Sequence, residues 1–174
     1  MNLNITSILS NLCEVAGPCG VVIGNFDGVH LGHQKLIKNF LNYCEINGLK
    51  SILITFSPHP YIYFNGKSSK YLITSHMSKM NILLQQGINK IVVLDFNKDL
   101  QEMPAEKFID EVLLSISGLK LIYLGHDFKI GKGKKDSLFT LKQKAKEREI
   151  EVISEEPLLV SGEVVGSSSI RQML

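Results

Sequence analysis

Short apolar runs alternate with longer amphipathic stretches along this chain. Residues 20–24 (GVVIG) have no polar alternate, the pattern of a strand buried on both faces. From Leu31 to Ile46, Leu36, Ile37, Phe40, Leu41 and Cys44 recur at helical spacing, and Asn47-Gly48 supplies a stop that tolerates positive φ. Residues 51–56 (SILITF) predict a second strand. Ser75 is placed to cap a helix that runs to about Gln86 and stops at Gly87. Residues 90–95 (KIVVLD) predict a third strand, and Pro104 suits the first turn of a helix that turns Phe108, Ile109, Val112 and Leu113 inward. A fourth strand is expected at 119–124, a fourth helix at 138–148, a fifth strand at 151–154 and a last helix from Ser168.

Strands that are apolar on both faces, each followed by a helix, predict an α/β fold: a Rossmann-like open parallel sheet with helices on both faces. No internal repeat, low-complexity tract or linker interrupts the pattern, so residues 1–174 read as one domain. In such sheets ligands collect beyond the carboxyl ends of the strands. Three unusual segments fall there: GNFDGVHLGH after the first strand, FSPHP after the second and GHDFKIGKGKKD after the fourth.

The bulk numbers narrow the partners. A chain of 174 residues is long enough for one domain burying roughly 70% of its unfolded surface. Hydrophobic residues make up 44% and charged residues 21%, a soluble globular balance, and a net charge of +2 does not by itself imply a polyanionic partner such as a nucleic acid. The first basic residue is Lys35, so the start lacks a signal peptide's basic end. No apolar run approaches the ~18 residues of a membrane span. Cys13, Cys19 and Cys44 form no CxxC pair, which argues against a disulfide framework or a zinc knuckle; reduced, packed thiols in a cytoplasmic protein are expected.

The segment after the first strand carries the densest chemistry. Gly24, Gly28 and Gly32 allow tight turns and close approach of a ligand to main-chain N–H groups. A helix starting near Leu31 offers free N–H donors and a partial positive charge to an anion. His30 and His33, three apart, can lean toward the same bound group. The pattern is neither a dinucleotide GxGxxG nor a P-loop; residues 125–133 (GHDFKIGKG) have one residue too many between the glycines and lack the Ser or Thr. A His-x-x-His metal pair and incidental surface histidines are the competing readings, the first without a third ligand nearby in sequence.

GNFDGVHLGHQ resembles the HxGH signature of nucleotidylyltransferases, and in particular the FMN adenylyltransferase module of bacterial FAD synthetases. The resemblance extends over nearly the whole chain. FSPHP is similar to the family's TFxPHP loop, YLITSHMSKMNIL to its leucine-threonine-helix segment with an internal Lys, and DFNKDLQEMPAEKFIDEVL to the stretch leading into the third crossover helix. GHDFKIG resembles GxDFxFG, and GSSSIRQML resembles SSTxIR. Ser57, Ile130 and Gly166 depart from these patterns, standing where an acidic residue, an aromatic and a serine are frequent.

The resemblance implies transfer of AMP from ATP to FMN, giving FAD and pyrophosphate, with Mg²⁺ accompanying ATP. The nucleophile is a phosphate monoester with a second pKa near ~6, so no general base has to be found. By resemblance, His30, His33 and Arg171 are the catalytic residues, and Gly24, Asn25, Phe26, Asp27, Gly32, Ser167 and Ser168 complete the ATP site. Taken as residues, the serines can equally cap a helix, and Asp27 can equally shape its turn. Pro58, His59, Pro60, Phe64, Asp127 and Phe128 fall at flavin-binding positions, with Asp127 also the candidate metal contact. Two prolines make 58–60 a rigid loop in this reading. Lys129, Lys132, Lys134 and Lys135 form a basic run expected to be mostly solvated.

No segment like the PTAN signature of the riboflavin kinase barrel is found, so residues 1–174 are expected to lack that activity, with a C-terminal kinase domain a partner in a longer chain. Two alternatives remain at this point. One is another HxGH adenylyl- or cytidylyltransferase with a different phosphate-bearing acceptor. The other is a non-catalytic module that binds flavin nucleotide, or RNA through residues 129–148.

Overall fold

The computed structural model describes residues 16–66, 71–131 and 137–173. Five parallel strands form its sheet: β1 (Cys19–Ile23), β2 (Lys50–Ser57), β3 (Lys90–Asp95), β4 (Leu119–Gly125) and β5 (Glu151–Glu155). Their spatial order is β3-β2-β1-β4-β5, so the chain winds outward from β1 first one way and then the other. The loop after β1 therefore lies at the point where the winding reverses, and a crevice opens there.

The helices are α1 (Leu31–Ile46), α2 (Pro60–Asn65), α3 (His76–Gln85), α4 (Lys98–Glu102), α5 (Ala105–Phe108), α6 (Ser137–Lys146) and α7 (Ser167–Met173). Alternation along β1 divides the core between the two faces. Cys19, Val21 and Ile23 join Ile52, Ile54, Leu94, Phe108, Ile109, Leu113 and Leu141 beneath α4 to α6. Val22 joins Leu53, Phe40, Ile37 and Leu83 beneath α1 and α3. The expected open parallel sheet with helices on both faces is the fold observed. The strand and helix positions agree with expectation to within a few residues.

The differences are local. Pro60 begins the short helix α2 rather than continuing a rigid loop; His59 caps it, its Nδ1 accepting from the Tyr61 N–H at 3.1 Å. Residues 98–102 form α4, capped by Asn97 through Leu100 N–H. The helix after Pro104 widens into a π turn over Ile109–Leu113. The fourth crossover helix runs Ser137–Lys146, ending before the expected 148, and a two-stranded hairpin, β6 (Leu159–Val160) and β7 (Glu163–Val164), precedes α7. Cys19 and Cys44 are buried free thiols, pushed up by burial to about 11 and about 12. Cys13, Lys132, Lys134 and Lys135 lie outside the described residues.

Candidate active site

Beyond Ile23 the chain turns sharply. Phe26 adopts a left-handed conformation (φ 51°) with its ring fully buried, and Asp27–Val29 form a single tight turn. Gly28 sits at φ 81°, where a side chain would be strained and would also strike Ile73. His30 then caps α1: its Nδ1 accepts from the His33 N–H at 3.3 Å. That bond commits the Nδ1 lone pair, so a neutral His30 carries its proton on Nε2. The two imidazoles stack, with ring centroids 3.7 Å apart and planes 19° from parallel, and the Phe26 ring meets His33 edge-on at 5.2 Å.

Gly32 is required by close approach. A Cβ there would lie 3.0 Å from the Val165 carbonyl oxygen and 3.2 Å from the His30 ring. The absent side chain lets the strand leading to α7 reach the start of α1.

His33 holds the one buried side-chain polar atom among the described residues that lacks a hydrogen-bond partner, its Nδ1. Burial, with the neighbouring His30, pushes this imidazole down to about 3 despite the opposing pull of Asp27. Burial likewise holds His30 below its ordinary value, against the carboxylates of Asp127 and Asp27. His59 is pushed down by burial to about 4. The site therefore presents neutral imidazoles, and one of them has a nitrogen with no protein partner.

Asp27 is 3% exposed and saturated. Its oxygens accept from the Ile73 N–H at 3.2 Å, the Thr74 N–H at 3.2 Å and Arg171 Nη2 at 2.5 Å. Burial pushes the carboxyl up, but the two backbone donors and the guanidinium outweigh it and hold it below its ordinary value. The main-chain oxygen of Asp27 also accepts from the Ser167 hydroxyl at 3.0 Å. Of the two roles open in the sequence, these bonds make Asp27 the knot of the turn, joining the β1 loop to residues 73–74 and to α7.

Arg171 is the other end of that knot. Its Nε donates to the Tyr71 carbonyl at 2.9 Å, and its guanidinium lies 3.9 Å above the Tyr71 ring, which stacks on Tyr61 at 3.4 Å. Nη1 makes no hydrogen bond to a described residue.

These groups line one cavity of about 600 Å³ that holds every candidate residue except Asp27 and Pro58. Gly24, Asn25, Phe26, His30, Gly32, His33, Ser167, Ser168 and Arg171 line it. His59, Pro60, Phe64, Asp127 and Phe128 line the same cavity. Pro58 follows a cis peptide bond beside them. Asp127 is exposed, lines the cavity and accepts no hydrogen bond from a described residue.

Two contributors escaped sequence reasoning, and a third, Lys79, entered it only as the internal Lys of a family-like segment with no role attached. Phe96, just past β3, meets Phe56, Tyr63 and Phe64 edge-on at 5.4–6.0 Å and builds an aromatic wall on the cavity. Its place directly after a predicted strand was the available signal. Glu155, at the end of β5, accepts from Tyr123, Asn39 and Lys35 at the rim. Lys79 lies buried beneath the β1 loop. The basic segment that an RNA reading would use is partly engaged: Lys144 pairs with Asp110 at 2.7 Å, and Arg148 donates to the Leu114 carbonyl.

A sequence model described as FAD synthetase matches residues 13–169. The chain belongs to the FAD synthetase family. Relatives of this FAD synthetase family member include the bifunctional riboflavin kinase/FMN adenylyltransferase of Buchnera aphidicola from Schizaphis graminum. It is 33% identical, over 95% of this chain and 54% of its own length. The enzyme of the same name from Escherichia coli K12 is 26% identical, over 90% of this chain and 50% of its own. The chain thus spans about half the length of the curated relatives it matches. The fold is shared with a solved structure named a macrolide-efflux protein from Streptococcus pneumoniae. It has TM-score 0.76 at 24% identity and covers 93% of this chain and 53% of that one. No helix among the described residues is long and apolar enough to cross a membrane.

Proposed function

We propose that this member of the FAD synthetase family transfers AMP from ATP to the phosphate of FMN, releasing pyrophosphate and forming FAD. The observation that carries the reading is the stacked pair of His30 and His33 at the N-terminus of α1, both lining the cavity, with the Nδ1 of His30 committed to the His33 N–H and its Nε2 free among the described residues. Imidazole donors beside a helix start are suited to phosphate oxygens.

A phosphate oxygen of FMN attacks the α-phosphorus of ATP. The new P–O bond forms as the bond to the bridging oxygen breaks, and pyrophosphate departs with that electron pair. The FMN phosphate is already largely dianionic at neutral pH, so the protein's tasks are alignment and stabilisation of charge. In this assignment His30 and His33 donate to the ATP phosphates, as do the Asn25 and Phe26 main chain, the Ser167 main-chain N–H and the Ser168 hydroxyl. Being neutral, the imidazoles donate without fixing the polyanion by a full charge. Arg171 has Nη1 available for the β- and γ-phosphates while Asp27 and Tyr71 hold the rest of its guanidinium. His59 and the wall of Phe64, Phe96 and Phe128 form the acceptor end, where an isoalloxazine ring would find aromatic edges and faces.

No group of three or more His, Cys, Asp or Glu able to hold a metal occurs among the described residues. The donor set suits Mg²⁺, which keeps several waters and needs one or two carboxylates beside substrate phosphates. In this reading Asp127 would hold it, and the ion would neutralise charge on the triphosphate. A cytoplasmic location goes with this metabolic role. FMN would come from a riboflavin kinase, the activity joined to this one in the relatives' names.

The test is chromatography after mixing the protein with Mg-ATP and FMN. FAD and pyrophosphate are expected, reduced at least a hundredfold in His33→Ala. A folded protein that binds ATP but makes no FAD would overturn the acceptor assignment.

A further inference from the structure

Lys79 is one of the few charged side chains the fold encloses, only 6% exposed, on α3. Lysine is almost never buried to this extent without a partner. Here its ammonium carries three N–H donors, and three neutral oxygens receive them: the Asn25 carbonyl at 3.1 Å, the Thr55 hydroxyl at 3.0 Å and the Phe56 carbonyl at 3.4 Å. Burial lowers its proton affinity, against the pull of Asp27.

Where those oxygens lie gives the bonds their meaning. The β1–β2 ladder pairs Ile23 with Ile54, and its last bond runs from the Gly24 N–H to the Ile54 carbonyl at 3.1 Å. Past that point the strands part, one into the histidine-bearing turn and the other into the Pro58–Pro60 segment. The Thr55 hydroxyl donates across the gap to the Asn25 carbonyl at 3.2 Å. Lys79, arriving from α3, bonds to both sides of the same gap. The join between the β1 loop and the end of β2 thus continues one step beyond the β1–β2 ladder through side chains.

We propose that Lys79 is a positioning residue for nucleotidyl transfer, holding the loop after β1 against the last residues of β2, from which the Pro58–Pro60 segment departs, so that the groups bound by each segment meet in reacting register. This rests on the proposed function, in which the first segment holds the ATP phosphates and the second lies at the acceptor end. Each segment keeps its own ligand-facing groups without Lys79, whereas their relative placement depends on it. A misplacement near 1 Å costs about a hundredfold in rate.

Two variants test this: Lys79→Met, which keeps the aliphatic stem, and Thr55→Val, which keeps the shape and removes the hydroxyl. Steady-state kinetics of FAD formation should show kcat down by about tenfold to a hundredfold in Lys79→Met and less in Thr55→Val. KM for ATP and for FMN should stay within about threefold, and the double variant should be no slower than Lys79→Met alone by more than about twofold. Amide hydrogen exchange, read on the same proteins without substrates, should accelerate in residues 24–30 and 56–61 together while α3 stays protected. Raised KM values with unchanged kcat, a kcat within twofold of the parent, or unchanged exchange in both loops would each overturn the proposal. If the parent makes no FAD, the assigned reaction fails; exchange then decides the clamp alone, and unchanged loops reject it. Should Lys79→Met not fold, Thr55→Val kinetics and exchange decide in its place: a lowered kcat with both loops exchanging faster supports the clamp, and parental values for both reject it.

Discussion

Replacing Asp27 by Asn leaves the shape of the turn and removes its charge, and the cost follows from where each oxygen is engaged. One oxygen accepts from the Thr74 N–H and hydroxyl; the other accepts from the Ile73 N–H and Arg171. An amide must set its NH₂ against one of those pairs of donors. The milder choice spares Arg171 and forfeits the Thr74 N–H, stranding a shielded donor at about 1–3 kcal/mol. The guanidinium also loses its counter-charge at a site where the two side chains are 4% and 17% exposed. Deleting one partner of a buried pair costs about 3–5 kcal/mol, and the retained carbonyl offsets part of that. The expected loss is therefore about 2–4 kcal/mol, a large share of a typical domain's 5–15 kcal/mol. Urea unfolding at pH 7 should show the midpoint falling with an unchanged slope. The pH dependence has a definite sign. A carboxyl held below its ordinary value of 3.8 stabilises the fold above that pH, and the contribution disappears as pH falls through the folded-state value. The parent should thus lose stability in acid more steeply than Asp27→Asn, and the two curves should converge. A variant within 0.5 kcal/mol of the parent at pH 7, or parallel acid curves, would refute the reasoning.

The other predictions concern the cavity. His33, lowered to about 3, should show no NMR titration between pH 5 and 8 in the ligand-free protein; an inflection near 6.5 would contradict its burial. Because the unfolded chain takes up that proton first, His33 should make stability decline as pH drops below about 6.5. Gly32→Ala ought to gain about 1 kcal/mol on helix propensity. The 3.0 Å approach of the Val165 carbonyl should instead make it less stable in thermal unfolding, and a raised melting temperature would show that contact to be slack. Phe96→Ala should weaken FMN binding about tenfold by flavin fluorescence, about 1.4 kcal/mol, with ATP affinity unchanged; equal losses for both ligands would point to a general collapse of the wall.

The strand positions, the parallel sheet and the grouping of three loops at one end of it were legible because buried parallel strands leave continuous apolar runs. The histidine turn was legible because glycine and histidine spacing survives without tertiary contacts. What stayed hidden depended on contacts across the chain. Helix α2 buries none of its residues, so periodicity had nothing to report. Lys79 was legible as a lysine within a helix but not as enclosed; the oxygens of Asn25, Thr55 and Phe56, 23 to 54 positions earlier, reveal that. Asp27 kept two readings open until Ile73, Thr74 and Arg171 were seen around it. Phe96 gained its place from aromatics that sequence distance separates.

The capping of α1 by His30 has a consequence for how folding and chemistry can be separated in this protein. One ring nitrogen belongs to the backbone, and the other is the only one left for a ligand. Asparagine places an acceptor where Nδ1 stands but has nothing at Nε2. His30→Asn should therefore melt with the parent while losing turnover, whereas His30→Ala should surrender both. A single ring divided between architecture and reaction can be taken apart one atom at a time.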